Sequence, residues 1–377
     1  MGLELAERDD SDGAAPSRRL LVLASKPPGL APGQRFRFEQ WAPRLKRDHG
    51  ISLDLLPFES PRLAEILYQP GHHFAKGGWI AYDFIRRGAA VAKATDYDAI
   101  LVFREAALIG PALYESLIAW RGVPLIFDFD DAIWQHQPGS SLAARLHCLG
   151  KIRTTMRRSA AVSGGNSYLA DFARRYNDNV FVVPTTIELD DYPVIPEPAT
   201  DAGFIVCWTG STSTLRHFAL AREALEQVAA KIPLTVKVIC NEPPATTISG
   251  ARMHFVPWSE KDEAREVGEC HAAIMPLPDD EFARGKCGLK ALQAMATGRP
   301  VVVSPVGMNS ELIRDGDNGF LAGATDDFAA RLLELAESAE LRRRIGGNAR
   351  RTVEEGYSAE IGAARFAEMV DSVTQRS

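Results

Sequence analysis

The stretch from His271 to Gly323 constrains the fold of this chain more than any other part of the sequence. It begins with an apolar run and a polar loop, continues with an Ala- and Leu-rich segment over 288–297, and then reaches the β-branched run Val301–Val303. Short β-branched runs are typical of buried parallel strands. The order strand, helix, strand therefore predicts two parallel strands whose carboxyl ends bring polar loops to one sheet edge. Open α/β sheets bind their ligands at that edge.

The same alternation of short apolar runs and helical segments extends over residues 20–183 and starts again at Phe204. Residues 184–202 separate the two parts and contain four prolines, several acids and no periodicity, which is typical of a linker. We therefore predict an α/β protein with two doubly wound parallel-sheet domains that face each other across a cleft. The predicted boundaries are a disordered tail over 1–18, a first domain over 19–184, a linker over 185–202, a second domain over 203–356, and a C-terminal helix over 357–377 that packs back on the first domain.

Composition and charge exclude several classes of protein. No apolar run approaches the roughly 20 residues of a membrane-spanning helix, and the five cysteines lack the spacing of a zinc site. We therefore predict a cytoplasmic protein. Residues 19–184 carry 21 Lys and Arg against 15 Asp and Glu, which predicts a basic first domain. Its helix over 142–158 could contact the anionic inner face of a membrane, although ordinary solvated surface is the simpler interpretation. No basic-aromatic motif accompanies the charge, so nucleic acid is not an expected partner.

Two polar loops of the second domain suit a phosphate group. The loop TGSTST, Thr209 to Thr214, leaves a strand and opens a helix, where backbone N–H groups and hydroxyls can bind an anion or simply cap the helix. Arg284 and Lys286 lie on a glycine-bearing loop after another strand. Two such cations suit a diphosphate, and the alternative is a salt-bridged loop. Lys290 and Gln293 share a face of the next helix, either as site residues or as exposed surface.

In the first domain, polar residues follow three predicted strands. Asp128, Asp130 and Asp131 end one strand, Arg104 and Glu105 end its neighbour, and Gly33 and Arg35 lie on a loop after the first strand. The acidic run lacks the further ligands of a metal site, so these residues favour binding of substrate hydroxyls or structural capping.

The run GLKALQAMATGRPVVVSPVGMNSELIRDGDNGFLAG resembles the donor-site motif of GT-B glycosyltransferases, especially the retaining family four, or group 1, enzymes. The segments FIVCWTGSTST, PTTIELDDYP and VEEGYSAEIGAARFAEMV are also similar to that family, so the resemblance extends over about residues 20 to 373. It implies two Rossmann-like domains, with a nucleotide diphosphate sugar held by the second and the acceptor held by the first. It also implies that no metal or other cofactor is needed, because protein cations and helix N-termini neutralise the diphosphate.

The loops and the family resemblance together predict a role for each candidate residue. The predicted donor-binding residues are Gly210, Ser211, Thr212, Trp258, Arg284, Lys286, Lys290, Gln293, Pro305, Val306, Gly307, Met308, Asn309 and Glu311. The resemblance places Trp258 at the nucleobase. The predicted catalytic residues are Arg284 and Lys286, which would stabilise the departing diphosphate, and Glu105, Asp128 and Asp131, which would orient the acceptor. The predicted acceptor-binding residues are Gly33, Arg35, Arg104 and Glu105.

Two departures from the family pattern concern the donor sugar. The usual motif has two glutamates eight positions apart, and this chain has Gly285 and Gln293 at those positions. A glutamine can still bond ribose hydroxyls. The usual contact to the donor hexose is lost unless Asp279, Asp280 or Glu281 replaces it.

The predicted function is transfer of a sugar from a nucleotide diphosphate sugar to a hydroxyl of a glycan, a lipid-linked sugar or a small molecule, with retention and without a metal. Two alternatives stay open at this point. The same fold serves nucleotide-sugar 2-epimerases, and the missing glutamates are compatible with a non-catalytic protein that binds a sugar nucleotide or a polysaccharide.

Overall fold

A computed structural model of the protein describes residues 18–135, 150–199 and 203–374, together with the backbone of a strand at Leu3–Glu4. The chain divides into two compact units. The first combines Met1–Thr185 with Ala359–Ser377, and the second is Thr186–Ser358. The chain therefore passes from one unit to the other twice, and the C-terminal helix belongs to the first unit.

The first unit is built on a seven-stranded sheet with the order β1-β3-β2-β4-β5-β6-β7. Its strands are β1 Leu3–Glu4, β2 Arg18–Ala24, β3 Ile51–Pro57, β4 Ala99–Phe103, β5 Leu125–Phe129, β6 Ala161–Gly164 and β7 Val180–Val182. Only β1 pairs antiparallel, with β3, and the other neighbours are parallel. Strands β2 to β5 are buried almost throughout, as expected for a sheet covered on both faces.

Helices cover both faces of this sheet. A helical turn at Pro32–Gln34 leads through a π-helical turn, Arg35–Glu39, into the first long helix. The described helices of this unit are α1 Gln40–His49, α2 Pro61–Ile66, α3 His73–Val91, α4 Leu113–Trp120, α5 Gly150–Arg158, α6 Ser167–Arg174 and the C-terminal α15 Ala359–Thr374, with a 3₁₀ turn at Ala94–Asp96.

The C-terminal helix is part of the core of the first unit. In α15, Phe366, Met369 and Val370 are buried in one cluster with Trp41 of α1 and with strand residues of β2 and β3. The rings of Trp41 and Phe366 have their centroids 5.8 Å apart. Burial of this much apolar surface stabilises the docking of α15, because each fully buried large side chain contributes roughly 1.5–3 kcal/mol.

The second unit is built on a six-stranded sheet in which every neighbouring pair is parallel, with the order β10-β9-β8-β11-β12-β13. Its strands are β8 Phe204–Thr209, β9 Leu234–Cys240, β10 Arg252–Pro257, β11 Ala272–Met275, β12 Val301–Val303 and β13 Phe320–Leu321. Its helices are α7 Leu215–Phe218, α8 Arg222–Ala229, α9 Glu263–Gly268, α10 Glu281–Arg284, α11 Leu289–Ala296, α12 Met308–Leu312, α13 Thr325–Glu337 and α14 Ala339–Gly356, with 3₁₀ turns at Thr212–Thr214 and Ala219–Ala221.

This strand order is the doubly wound order of dinucleotide-binding sheets. Counted from β8, the strands are arranged 3-2-1-4-5-6, and the order reverses between β8 and β11. Loops that follow these two strands diverge at that point and leave a crevice at the carboxyl edge of the sheet. The predicted donor-side loops follow β8, β11 and β12, so the topology positions them at this edge.

Three elements differ from the sequence-based expectation. The sequence predicts a helix from Tyr82 to Lys93, whereas α3 begins nine residues earlier, at His73, and its first half contains Gly77 and Gly78, which disfavour a helix. The sequence also predicts one continuous helix over 215–230, and the structure interrupts it with a 3₁₀ turn at Ala219–Ala221. Strand β1 lies inside the predicted disordered tail.

The basic helix predicted over 142–158 is described only from Gly150 onward, and residues 142–149 lie outside the described residues. None of the helices in the described ranges combines the length and the apolar character that a transmembrane span requires.

Candidate functional site

The loop after β8 forms a compact turn that only glycine permits at its start. A Cβ on Gly210 would lie 2.3 Å from the Trp208 ring and 2.7 Å from Thr214 Oγ1, so any side chain there would displace the loop. Ser211 and Thr212 follow and are exposed. The backbone N–H of Ser211 donates to Thr214 Oγ1 at 3.1 Å, and Thr214 Oγ1 donates back to the Ser211 carbonyl at 2.9 Å. The turn is therefore closed by its own hydroxyl, with its polar groups at the sheet edge.

Thr214 also binds a cation from a different helix. Lys290 of α11 donates from Nζ to Thr214 Oγ1 at 3.0 Å, and the same ammonium group lies 4.8 Å from the centroid of the Trp208 ring. A cation over an indole face is stabilised by the ring quadrupole. Lys290 is thus fixed against the loop after β8, although sequence spacing alone would also allow it to be solvated helix surface.

The other two predicted cations follow β11. Arg284 ends α10 and is about half exposed, and its Nε donates to Asp279 Oδ1 at 2.7 Å. Lys286 comes two residues later, and its Nζ lies 4.3 Å from the centroid of the Phe282 ring. An exposed ion pair such as that of Arg284 contributes little to stability, so its guanidinium can exchange Asp279 for a stronger partner at low cost.

The loop after β12 packs directly on the backbone of Arg284. Gly307 has φ +54° and ψ −129°, and a Cβ there would lie 2.4 Å from the Arg284 carbonyl oxygen and 2.9 Å from its Cα. Only glycine fits both this conformation and this distance. The predicted donor loop over 305–309 and the cationic loop over 284–288 are therefore in contact, as the prediction of a single donor site requires.

Within the loop after β12, Asn309 has an unusual environment. Its Nδ2 donates to the Ser304 carbonyl at 3.0 Å, and its Oδ1 is buried and makes no hydrogen bond to any described residue. Val306 and Met308 are buried, whereas Pro305 is exposed and Glu311 is exposed in the first turn of α12. A buried acceptor without a partner is costly in a folded protein and is typical of functional sites.

His217 was not predicted, and it reports the electrostatics of this edge. It lies on α7 three residues after Thr214 and is 4% exposed. Burial, together with the charges of Lys286 and Lys290, lowers the pKa of His217 to about 4. Two lysines from separate elements therefore act on one point, which is the field that an anionic ligand would meet. The only sequence signal for His217 was its position one turn beyond the hydroxyl-rich loop.

The two residues predicted for the nucleoside, Trp258 and Gln293, are joined by a buried polar network. Trp258 Nε1 donates to Glu263 Oε1 at 2.8 Å, and Tyr192 Oη donates to Glu263 Oε2 at 2.7 Å. Gln293 Nε2 donates to the same Tyr192 hydroxyl at 2.8 Å. Tyr192 lies in the segment predicted as a linker, and Glu263 opens α9, so neither was predicted as a site residue. Their hydrogen bonds fix the orientation of both Gln293 and the indole.

In the first unit, Asp128 is 1% exposed and forms a bidentate ion pair with Arg37. Arg37 Nε and Nη2 donate to the two carboxylate oxygens at 2.7 and 2.5 Å, and Nη1 donates to the Val183 carbonyl at 2.7 Å. Both carboxylate oxygens of Asp128 therefore hold a buried arginine of the π-helical turn. The role of Asp128 in acceptor binding stays a prediction, and its structural role is the one that the geometry shows.

Arg104 joins the other two aspartates at the same sheet edge. It has φ +60°, and its Nε donates to Asp130 Oδ1 at 2.6 Å while its Nη2 donates to Asp131 Oδ2 at 3.3 Å. Burial alone would raise the pKa of Asp130, but the charge and hydrogen bond of Arg104 lower it below its usual value. Gly33 lies against both the Asp130 carboxylate and the Arg104 guanidinium. The half-buried Arg35 lies over the ring of Phe36.

Glu105 pairs with a lysine that sequence analysis placed on a basic surface helix. Lys151 of α5 is 2% exposed, forms an ion pair with Glu105 and donates to the Ala107 carbonyl at 2.8 Å. A second pair at this edge joins Lys26 Nζ to Glu59 at 3.0 Å. The first unit therefore brings Gly33, Arg104 and Asp131 together as predicted positions, with each cation paired to a carboxylate.

Within the described ranges, no group of three or more His, Cys, Asp or Glu residues is arranged to hold a metal ion. The described side chains at the two edges are cations, hydroxyls, amides and carboxylates. The second-unit edge combines lysines with a glycine-lined loop, which suits a phosphate ester. The first-unit edge combines carboxylates with guanidinium groups, which suits hydroxyl ligands.

Comparison with known proteins identifies the segment that carries these donor-side loops. Residues 203–338 match the family described as Glycosyl transferases group 1. The predicted similarity to that family is confirmed over this segment, which lies within the second unit and contains the loops after β8, β11 and β12.

Curated relatives match short stretches of the chain. The N-acetyl-alpha-D-glucosaminyl L-malate synthase of Bacillus anthracis is 39% identical over 75 residues, which are 19% of this chain and 20% of that protein. The D-inositol 3-phosphate glycosyltransferase of a Nocardioides species is 33% identical over 104 residues, which are 27% of this chain and 22% of that protein. The chain thus spans about a fifth of the length of the curated relatives it matches.

Solved structures match nearly the whole chain. Sucrose-phosphate synthase from Thermosynechococcus elongatus superposes with a TM-score of 0.69 at 15% identity and covers 96% of this chain and 100% of that one. HepE from Anabaena, in complex with UDP and glucose, has a TM-score of 0.61 at 15% identity and covers 93% of this chain and 98% of that one. The fold is that of the GT-B glycosyltransferases, and the prediction of two Rossmann-like doubly wound domains is confirmed.

Proposed function

We propose that this protein is a glycosyltransferase that moves a sugar from a nucleotide diphosphate sugar to a hydroxyl acceptor. The observation that carries the proposal is the geometry of the loop after β8, where a turn that only Gly210 permits presents hydroxyls at the sheet edge and Lys290 is fixed on Thr214 at 3.0 Å. The second unit is acidic as a whole, because residues 185–377 carry 20 Lys and Arg against 29 Asp and Glu. A local concentration of cations on an acidic unit favours a specific anionic ligand.

The proposed chemistry places the diphosphate between the loop after β8 and the cationic loop after β11. As the bond between the anomeric carbon and the diphosphate breaks, negative charge develops on the leaving oxygen. Lys286, Lys290 and Arg284 would stabilise that charge, and preorganised donors of this kind contribute roughly 10²–10³ in rate each. We extend the proposal to catalysis without a metal, because three cations are placed to supply the neutralisation.

The nucleoside is assigned to the region of Trp258, whose indole is held in place by the network through Glu263 and Tyr192. Gln293 is 2% exposed and donates to Tyr192, so we assign it to the support of this region rather than to direct contact with the ribose. Preorganised side chains bind a ligand with a smaller entropy loss than mobile ones. We assign the acceptor to the carboxyl edge of the first sheet, where Arg104, Glu105 and Asp131 offer polar groups to hydroxyls. Retention of anomeric configuration is proposed on the resemblance to the group 1 enzymes.

Donor binding and transfer are tested together. We expect UDP or another nucleoside diphosphate to raise the melting temperature, since a ligand that binds only the folded state stabilises it by mass action. A panel of nucleotide sugars with glycan, lipid-linked and small-molecule acceptors then identifies the substrates by mass spectrometry. NMR of the product's anomeric proton determines retention or inversion, and activity in EDTA tests the absence of a metal requirement.

Substitutions test the catalytic role that we propose for the cations. The double variant Arg284→Ala, Lys286→Ala should slow both donor hydrolysis and transfer by at least about 100-fold. Unchanged rates in that variant would remove the two residues from the mechanism. Conversion of a UDP-sugar without any acceptor would identify an epimerase instead, and nucleotide binding without turnover across the panel would identify a binding protein.

A further inference from the structure

Helix α3, His73–Val91, is amphipathic, but its apolar face is exposed to solvent and its polar face is buried. This is the reverse of a normal surface helix. Three large apolar side chains on it are turned to solvent, and Phe74 is 99%, Ile85 75% and Tyr82 52% exposed. The positions 74, 78, 81, 82, 85 and 89 follow the helical spacing of one face and contain Phe, Gly, Ala, Tyr, Ile and Ala. A surface helix normally turns such a stripe toward the core.

The inward face of α3 is polar because its side chains form hydrogen bonds with groups at and after the carboxyl ends of the sheet strands. Arg87 is 1% exposed and donates to the Ala24 and Leu56 carbonyls at 2.9 Å each, at the carboxyl ends of β2 and β3. Asp83 is fully buried and accepts from the backbone N–H and the hydroxyl of Ser60 at 3.0 and 2.9 Å. The buried side of the helix is therefore committed to charged contacts, and its apolar residues are left on the outside.

A single exposed apolar residue needs no explanation, whereas an exposed apolar stripe marks an interaction surface. We propose that the outward face of α3 docks on an anionic lipid surface, with Phe74, Tyr82 and Ile85 inserted at the boundary between headgroups and acyl chains. This surface lies in the described part of the first unit and includes no residue of α5.

Charge favours lipid headgroups over an apolar patch on another protein. Asp83 is the only acidic residue of α3, and because it is buried the outward face carries no negative charge. Of the five Lys and Arg in residues 61–93, Arg87 is buried, Arg86 pairs with Asp83 and Arg62 pairs with Glu65, which leaves Lys76 on α3 and Lys93 just after it as the positive charges of this region. Basic residues beside an apolar helix face are attracted to anionic headgroups and strengthen insertion of that face.

Aromatic chemistry supports the same partner. The rings of Trp79 and Tyr82 form an edge-to-face pair with centroids 5.4 Å apart, and Tyr82 is half exposed. Trp and Tyr are enriched at membrane interfaces because each has an apolar ring and a polar group. The adjacent helix α4, whose Tyr114 hydroxyl donates to the Phe84 carbonyl of α3, exposes Trp120 at 80%. The layer of helices on this side of the sheet therefore presents further interfacial side chains.

The proposal does not rest on the glycosyltransferase proposal, and the two can fail separately. If both hold, the enzyme works at a surface that can present lipid-linked acceptors.

Vesicle flotation of the full-length protein tests the inference. We expect binding to phosphatidylcholine vesicles that contain about 30% phosphatidylglycerol, weaker binding at high salt, and little binding to phosphatidylcholine alone. The double variant Phe74→Ser, Ile85→Ser should lower the partition coefficient at least about tenfold, since the inserted apolar area is lost. The matched control is Val194→Ser, Leu220→Ser, which removes two exposed apolar residues of the second unit and should bind like the wild type.

Both variants replace solvent-exposed side chains, so equal melting temperatures should accompany the difference in vesicle binding. The inference is overturned if the wild type does not float with anionic vesicles, or if the Phe74→Ser, Ile85→Ser variant floats equally well. It is also overturned if the wild type forms a concentration-dependent dimer that this variant abolishes while vesicle binding is unchanged. That last outcome would assign the face to a second copy of the chain.

Discussion

The two sheet edges that carry the candidate site residues differ in the groups that contact their cations. At the edge of the first unit, three cations pair with carboxylates, in the pairs Arg37–Asp128, Arg104–Asp130 and Lys151–Glu105. At the edge of the second unit, Lys286 and Lys290 lie over the rings of Phe282 and Trp208. Arg284 at the same edge is about half exposed and pairs with the exposed Asp279. The first edge, called the neutral edge below, therefore suits hydroxyl ligands. The second, called the positive edge below because Arg284, Lys286 and Lys290 gather there, suits an anion.

The largest effect is expected from a substitution that breaks the buried Arg37–Asp128 ion pair of the neutral edge. Asp128→Ala leaves the Arg37 guanidinium buried without its partner, which should lower the free energy of unfolding by about 3–5 kcal/mol. Urea denaturation measures the loss. The double variant Arg37→Met, Asp128→Leu should recover most of the stability, because replacing a buried pair by apolar residues is often neutral. A stable Asp128→Ala protein with impaired transfer would instead assign Asp128 to the acceptor site.

A substitution at the positive edge should lower the activity rather than the free energy of unfolding. Lys290→Met removes a half-buried ammonium group, and kcat/KM for the nucleotide sugar should fall by at least about 100-fold. Steady-state kinetics and UDP titration calorimetry measure the effect. Lys231→Met, at an exposed position of the same unit, serves as the control. Lys151→Met should leave UDP affinity unchanged, and an equal loss of UDP affinity in both variants would remove the distinction between the edges.

The geometry of the positive edge depends on one backbone contact. Gly307→Ala places a methyl group on the Arg284 carbonyl and strains a positive φ, so stability should fall by roughly 1–3 kcal/mol, with weaker UDP binding. Thermal unfolding with and without UDP measures both. Gly347→Ala, where a Cβ meets nothing within 4 Å, should be neutral or slightly stabilising. Unchanged UDP affinity in Gly307→Ala would show that the loop after β12 does not shape the donor site.

The smallest expected effect is a pH dependence that originates at the positive edge. The pKa of His217 is lowered to about 4, from about 6.5 in the unfolded chain. Between these values the unfolded chain binds a proton that the folded chain does not, so the stabilisation is present above about pH 6.5 and is lost as the pH falls toward 4.

Melting curves of the wild type and His217→Gln between about pH 7 and pH 5 test this dependence. The wild type should lose more stability than the variant, and saturating UDP should reduce the difference, because bound phosphates neutralise Lys286 and Lys290. His254→Gln, an exposed histidine of the same unit, controls for general effects of pH. Parallel curves for the wild type and His217→Gln would contradict the proposed field.

The fold could be predicted because its signals are local. Val301–Val303 is buried on both faces of a parallel sheet, and such strands are apolar throughout, so their positions are visible in the sequence. The loops after β8 and β11 could be placed at one edge for the same reason. Helix α3 could not be predicted at full length, because two glycines and an outward apolar face oppose the usual helical pattern.

The partners within each site could not be predicted, because they depend on contacts between distant residues. Arg37 meets Asp128, 91 positions away, and nothing in the RFRF segment distinguishes the buried arginine from the half-buried Arg35. Tyr192 and Glu263 share a network with Gln293 although each lies in an unremarkable segment. Sequence patterns identify which edge carries chemistry, and only tertiary structure shows which charges cancel.

The two crossings of the chain between units have a consequence for synthesis. The core of the first unit includes residues of α15, so this unit lacks part of its core until Ala359–Thr374 has left the ribosome. The second unit is complete in sequence before α15 emerges. A nascent chain therefore holds an unfinished first unit while the second is already able to fold, and a chain cut before Ala359 would keep Trp41 and its neighbours uncovered.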